Sequence, residues 1–325
     1  MKVFVAGASG AIGKRLVPQL LSRNHEVIAM TRSPRKAASL RALGAEPVVA
    51  DGLDRGAVMD AVLRSRPEVI IHEMTGLAGV ASLKKFDQAF AVTNRLRTEG
   101  TDYLLEAARA AGVRRFLAQS FAGWNYTRTG TELRTEDHPF VADPPASGRQ
   151  SLKAIQHLER VVLSAPDLEG IALRYAGFYG PDTSIDVNGD IVDLVRKRGL
   201  PIIGKGTGVW SFIHVDDAAA ATVAAMERGA PGVYNVADDE PAPVFEWLPG
   251  LARLLGAKPP RHVPAWLGRL AAGEMLVLMM TQIRGISNAR ARQELGWAPR
   301  YVSWREGFRS LQSRVPSYEL TPELG

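Results

Sequence analysis

Through its first 120 residues the chain alternates short apolar runs with longer stretches in which apolar residues recur at helical spacing. "KVFVAG", "EVIAMTR", "AEPVVADG", "EVIIHEM" and "RRFLAQSF" are the runs, and they predict strands. "GKRLVPQLLSRN", "RKAASLRALG", "GAVMDAVLRSR" and "TNRLRTEGTDYLLEAARAAG" lie between them and predict helices. The runs are apolar on both faces, as strands covered on both sides must be. The pattern therefore predicts an α/β fold, a Rossmann-like doubly wound parallel sheet with helices on both faces.

After Ser120 the pattern loosens into "AGWNYTRTGTELRTEDHPFVADPPASG", long for a connection and hence expected to be functional or lid-like. A helix is predicted from about Ser147, then the strand "GIALRYAGFYG". From Pro181 short helices and strands mix. We expect a dinucleotide-binding domain over residues 1–180, with later segments returning to it. A smaller substrate lobe should occupy mainly 181–325. The apolar "AWLGRLAAGEMLVLMM" is interrupted by Arg269 and Glu274 and is too short to span a bilayer, so it should cover a pocket or form a subunit contact.

Composition narrows the function classes. The chain of 325 residues carries 46% hydrophobic and 23% charged residues, an ordinary globular balance. It has no cysteine, which excludes disulfides, thiolate metal sites and a cysteine nucleophile. The net charge of +6 is spread along the chain, so no nucleic-acid patch and no membrane partner are expected. "MKVFVAGASG" enters a strand without the apolar stretch of a signal peptide, which makes a cytoplasmic location the expectation.

Candidate chemistry begins at "GASGAIG", with Gly7, Gly10 and Gly13 between the first strand and the first helix. Glycines there allow a tight turn, approach of backbone amides to a pyrophosphate, and close helix packing. Ser9, Ala11 and Ile12 complete the loop. At the end of the second strand stand Thr31 and Arg32, where an acidic residue would bind the ribose of NAD. Arg32 with Arg35 or Lys36 can pair with a ribose phosphate, so NADP(H) is favoured and NAD(H) remains possible. Asp51, followed by Gly52, either contacts the adenine or caps the next helix.

Beyond that loop, "LRYAGFYGP", "FIHVDDAAAATVAAME", "VYNVADDEPAPVFEW" and "SNARARQELGWAPRYVSWREGF" occur in an order that resembles extended short-chain dehydrogenases/reductases, the NAD-dependent epimerase/dehydratase family. The GxxGxxG spacing is the form found in that group. The resemblance implies hydride transfer involving a nicotinamide. A tyrosine moves the proton, a lysine one turn later binds the ribose, and a serine or threonine polarises the carbonyl. Lys153 matches the lysine, Arg149 stands at the tyrosine position, and Ser120 or Phe121 aligns with the hydroxyl. Asn94 matches an asparagine on the helix after the fourth strand. His214, Asp216 and Asp217 fall in a segment joining the two parts, where capping is a simpler role than metal binding.

An arginine cannot act as a general acid at physiological pH. Arg149, Lys153 and His157 form one stripe of the predicted helix, so Arg149 either stabilises an oxyanion or points to solvent. Tyr179 and Tyr126 are the phenols that could donate instead, unless they are simply packed. Trp124, Phe178, Trp210 and the "EMLVLMM" helix are expected to line the substrate pocket. Three functions compete. One is an oxidoreductase acting on a small carbonyl, enone or alcohol. The others are a nucleotide-sugar epimerase or dehydratase, for which the missing tyrosine is a handicap, and a silent cofactor-binding regulator. A homodimer is a further possibility.

Overall fold

The computed structural model describes residues 1–77, 84–130 and 132–312. Six parallel strands and the intervening helices fill the first half: β1 (Lys2–Ala6), α1 (Gly13–Ser22), β2 (Glu26–Thr31), α2 (Pro34–Ala42), β3 (Glu46–Val49), α3 (Arg55–Ser65), β4 (Val69–His72), α4 (Phe86–Ala89), α5 (Ala91–Arg95), α6 (Thr101–Ala111), β5 (Arg115–Phe121), α7 (Arg149–Leu163) and β6 (Glu169–Tyr175). The second half runs β7 (Gly177–Tyr179), α8 (Asp190–Arg196), β8 (Ile202–Ile203), β9 (Val209–Trp210), β10 (Phe212–His214), α9 (Val215–Arg228), β11 (Gly232–Val236), β12 (Ala242–Pro243), α10 (Val244–Leu254), β13 (His262–Val263), α11 (Ala265–Ala272), α12 (Glu274–Thr281), α13 (Ala289–Leu295) and α14 (Trp304–Gln312).

Seven strands form one parallel sheet in the order β11-β6-β5-β4-β1-β2-β3. The predicted apolar runs become its strands because both faces are covered. One face buries Leu16, Val17 and Leu20 of α1 and the alanine-rich α9. The other buries Val58 and Val62 of α3, Leu104 and Leu105 of α6, and Leu158 and Val162 of α7. The strand order reverses between β1 and β4, which leaves a crevice beyond their carboxyl ends, the place where such sheets bind ligands. A third core gathers Tyr179, Phe212, Trp247 and Phe308 into the smaller lobe.

Several predicted elements divide. The run 170–180 breaks at Ala176, whose N–H donates to Val236 O at 3.0 Å, and Gly177 N turns to Ser211 O at 3.1 Å. β7 thus leaves the main sheet and pairs with β10. The long helix over 93–112 contains a π turn at Leu96–Gly100. "AWLGRLAAGEMLVLMM" is two helices separated by Gly273 at φ +86°, and α11 leaves Trp266 and Leu270 exposed. The segment after Ser120 is pinned rather than lid-like. Its Arg134 N donates to Gly285 O at 2.8 Å, and Asn235 Nδ2 donates back to Arg134 O at 3.1 Å. Among the described residues no helix is long and apolar enough to cross a membrane.

Candidate active site

The glycine loop forms the floor of a crevice of about 1110 Å³. Gly7 adopts φ +97°, and a Cβ there would lie 2.8 Å from the Glu73 backbone. A Cβ on Gly13 would meet the Ala8 backbone at 2.5 Å, so this glycine lets α1 close on the loop rather than lining the crevice. Gly10 faces the opening with only Gly7 O nearby at 3.3 Å. Ser9, Ala11 and Ile12 line the same wall, and Ser9 Oγ is 2.9 Å from Thr31 Oγ1. The empty volume over Gly10, at the mouth of α1, suits a pyrophosphate.

At the far end Arg32 and Lys36 line the crevice, and Arg35 does not. Asp51 and Gly52 border the next stretch. Asp51 Oδ1 accepts from Leu53 N at 3.0 Å, whereas the cap of α3 is Asp54, which accepts from Ala57 N at 3.0 Å. The capping alternative for Asp51 is therefore incorrect. A Cβ on Gly52 would strike Met74 Sδ at 2.3 Å, so only glycine fits beneath that edge. These residues fit a nicotinamide dinucleotide.

The opposite end is apolar and aromatic. Phe90, Phe121, Trp124, Ile155, Trp210 and Met279 line it, and Phe178 borders the passage between the two ends. Trp210 Nε1 donates to Met279 O at 2.8 Å, fixing the indole against α12. Phe86 stacks on Phe90 with centroids 4.3 Å apart and meets Trp124 edge-on at 5.3 Å. These aromatic side chains make the wall of this end apolar.

Helix α7 closes this end in a phase that the residue spacing did not indicate. Asp87 reaches across to its first turn, accepting from Gln150 N at 3.0 Å and Ser151 N at 2.8 Å. Leu152, Ile155, Leu158 and Glu159 face inward, and Ile155 reaches the crevice. Arg149, Lys153 and His157 do form a stripe, but it faces outward. Arg149 is 60% exposed and pairs with Asp143 at 3.3 Å. Lys153 is exposed and outside the crevice lining, and His157 bonds Asp102 at 2.8 Å. Lys153 is therefore not a cofactor contact, and Arg149 is not an oxyanion group. Both corrections follow from helical rotation: two residues further on, Ser151 and Ile155 hold the same spacing on the opposite face. Ser151 is taken by Asp87 at 2.6 Å and by Asn94 Nδ2 at 3.0 Å, so Asn94 braces two helices and does not line the crevice.

The substitute donors are also displaced. Tyr179 is fully buried in the small lobe, edge-on to His214 and Phe308, and burial holds its hydroxyl above the ordinary range. Tyr126 donates to Asn235 Oδ1 at 2.8 Å and accepts from Arg174 at 2.7 Å. Burial pushes it up to about 12. Neither lines the crevice. Ser120 does, but its hydroxyl donates to Glu159 Oε1 at 2.6 Å, so it has no proton left with which to polarise a carbonyl. His214 caps α9 by accepting from Asp216 N at 3.1 Å. Asp217 accepts from Arg300 N and Tyr301 N, each at 3.0 Å, and joins α9 to the C-terminal segment.

A family model, the NAD dependent epimerase/dehydratase family, matches residues 3–237. The chain belongs to that family. It is 46% identical over 311 residues to the 3-diazoavenalumate denitrifying reductase of a Streptomyces species, covering 95% of this chain and 99% of that one. It is 27% identical to a 4-hydroxy-2-methyl-3-oxo-4-farnesyl-3,4-dihydroquinoline-1-oxide ketoreductase of Stigmatella aurantiaca, over 98% of this chain and 97% of the other. Its fold matches UDP-glucose 4-epimerase of Thermotoga maritima with a TM-score of 0.74 at 23% identity, over 97% and 98% of the two chains. The protein is an enzyme of the oxidoreductase type, built for a nicotinamide dinucleotide.

Against the family's tyrosine and lysine, this member presents Ile155 from α7 and two buried polar residues that no sequence motif marks. Glu73 follows β4 on the crevice floor. It accepts from the Tyr175 hydroxyl at 3.0 Å, which lies 2.6 Å from Thr222 on α9. Burial pushes Glu73 up to about 8, against the Tyr175 hydrogen bond, so it is uncharged at neutral pH. The other is Arg97 in the π turn, 6% exposed and lining the crevice. Its position between two helical turns of "TNRLRTEG" reads as an ordinary exposed helix residue, and only the widened turn carries it inward.

Proposed function

We propose that this enzyme is an NADPH-dependent reductase that replaces a diazonium group by hydrogen on a flat, largely apolar compound. The observation that carries the reading is the wall beside Ser120. There the crevice presents Ile155, while Arg149, Lys153, Tyr126 and Tyr179 are all turned elsewhere. Reduction of a carbonyl leaves an alkoxide that needs a positioned proton. Displacement of dinitrogen needs none. A nicotinamide held in the crevice would supply the hydride that the diazonium carbon takes up. The carbon–nitrogen bond breaks with its electron pair, which leaves as dinitrogen, and the new carbon–hydrogen bond takes the hydride pair. What the protein must provide is orientation, and the aromatic walls supply it. The name of the Streptomyces relative, at 46% identity, supports the same chemistry.

The preference for NADPH rests on Arg32 and Lys36 at the crevice end and on Thr31, which stands where a carboxylate would repel a ribose phosphate. A second reading, reduction of a carbonyl or enone, draws on the ketoreductase relative. One assay separates them. Incubated with NADPH and 4-methylbenzenediazonium, the enzyme should release equimolar dinitrogen above the enzyme-free rate, and deuterium from C4-labelled NADPH should appear on the ring. Turnover of ketones or enones with no release of dinitrogen would overturn the diazo reading.

A further inference from the structure

Arg97 is a buried cation that forms no salt bridge among the described residues. Its residue is 6% exposed, and its Nε is sealed without a hydrogen-bond partner. Glu159 steadies it electrostatically. That carboxylate is already committed: Arg174 donates to both of its oxygens, at 2.8 and 2.7 Å, and Ser120 adds a third bond at 2.6 Å. The other acid near Arg174, Glu136, accepts from Asn235 N at 2.7 Å and lies 3.9 Å from Arg290. Two guanidiniums thus share one carboxylate, and a net positive charge remains at the crevice wall. Burial lowers Arg97 only to about 10, so the charge persists at neutral pH.

The position is built rather than accidental. His72 is buried, and its Nδ1 accepts from Met74 N at 3.2 Å, so Nε2 carries the hydrogen and donates to Leu96 O at 3.2 Å. Burial lowers its imidazole to about 4, which keeps this neutral tautomer in place. The Leu96 carbonyl, drawn to His72, is where the π turn begins. π turns inserted in α-helices are frequent at functional sites. An unpaired charge buried in this way lowers stability unless a ligand completes it.

We propose that Arg97 is a substrate-recognition residue, pairing with an anionic oxygen, carboxylate or phenolate, of the compound held against Ile155 and Trp124. The substrate class is then an unsaturated or aromatic acid or phenol. This deepens the diazo reading for the reaction and stands apart from it for binding.

The probe is cinnamate, with cinnamamide as its neutral counterpart, titrated calorimetrically into the protein saturated with NADP⁺. The wild type should bind cinnamate, and Arg97→Gln should weaken it about tenfold or more, as loss of a charge-assisted pair does. Arg97→Lys should restore part of that loss. Cinnamamide and NADP⁺ affinities should change by no more than about twofold, too little for loss of a charged contact. Without ligand, Arg97→Gln should melt at or above the wild-type temperature, because a buried unpaired charge is gone. Absence of cinnamate binding to the wild type, cinnamate binding indifferent to Arg97→Gln, or an equal loss of NADP⁺ affinity would each overturn the proposal. If cinnamate binding depends on Arg97 while diazonium salts are not reduced, the reaction is wrong and the anion site stands. If dinitrogen is released and cinnamate binding ignores Arg97, the anion site is wrong and the reaction stands.

Discussion

At Arg149 and Lys153 the side chains look like machinery and are surface. Replacing either by alanine should leave kcat/KM within about twofold, the range of surface changes, and steady-state kinetics checks it. Arg32 and Lys36 are the opposite case. Arg32→Ala with Lys36→Ala should raise the dissociation constant for NADPH by about tenfold or more while leaving that for NADH nearly unchanged, because only the extra phosphate loses a charged partner. Fluorescence titration with both cofactors measures the ratio. Glu73 makes a pH prediction. Its carboxyl ionises near 8 in the fold and near 4.5 in the unfolded chain, so the unfolded state releases the proton first as pH rises. The stability this acid contributes is complete below about 4.5 and is lost on the way to about 8. Glu73→Gln should therefore gain in melting temperature over the wild type by more at pH 9 than at pH 5. Equal gaps at the two pH values would remove this account.

Among the elements, α7 depends on a residue far from it in sequence. Asp87 satisfies two N–H groups of its first turn, and Asp87→Ala should destabilise the protein by about 1–2 kcal/mol, the worth of a good N-cap. Denaturant unfolding monitored by circular dichroism tests it. The same helix shows how far the sequence was readable. Strands and helices of the first half were legible because covered parallel strands are apolar runs and amphipathic helices keep their period. The glycine loop was legible because strand, glycines and helix stand in one short stretch. The catalytic end was not, because Arg149 with Lys153 and Ser151 with Ile155 have identical spacing. The signal that separates them was present in Leu152, Ile155, Leu158 and Val162, which mark the inward face and place Lys153 nearly opposite it. Nothing comparable announced Arg97. The Leu96 carbonyl that opens its π turn accepts from His72, a contact between elements that no local pattern encodes.

Across the whole molecule, the two ends of the crevice come from different parts of the chain. The glycine loop belongs to the sheet, whereas Trp210 and Met279 belong to the smaller lobe, and Lys14 and Arg15 of α1 pair with Asp182 beyond β7 at 2.6 and 3.1 Å. Cofactor binding should consequently tighten the lobe as well as the sheet. NADPH at about one hundred times its dissociation constant should add about 2.7 kcal/mol to global stability. Hydrogen exchange should show new protection around residues 182–191 as well as in the glycine loop.

The sheet is also closed late. β11 pairs with β6 across register partners running from Gly232–Ile171 to Val236–Tyr175, yet the chain builds the strands and two helices of residues 177–228 between them. During synthesis, therefore, β6 waits with one edge open until about sixty further residues have left the ribosome. A nascent chain arrested before Gly232 would hold a glycine loop and an unsealed sheet at once. Its hazard is then association with another nascent copy through β6, which makes chaperone demand in this enzyme a matter of when β11 arrives.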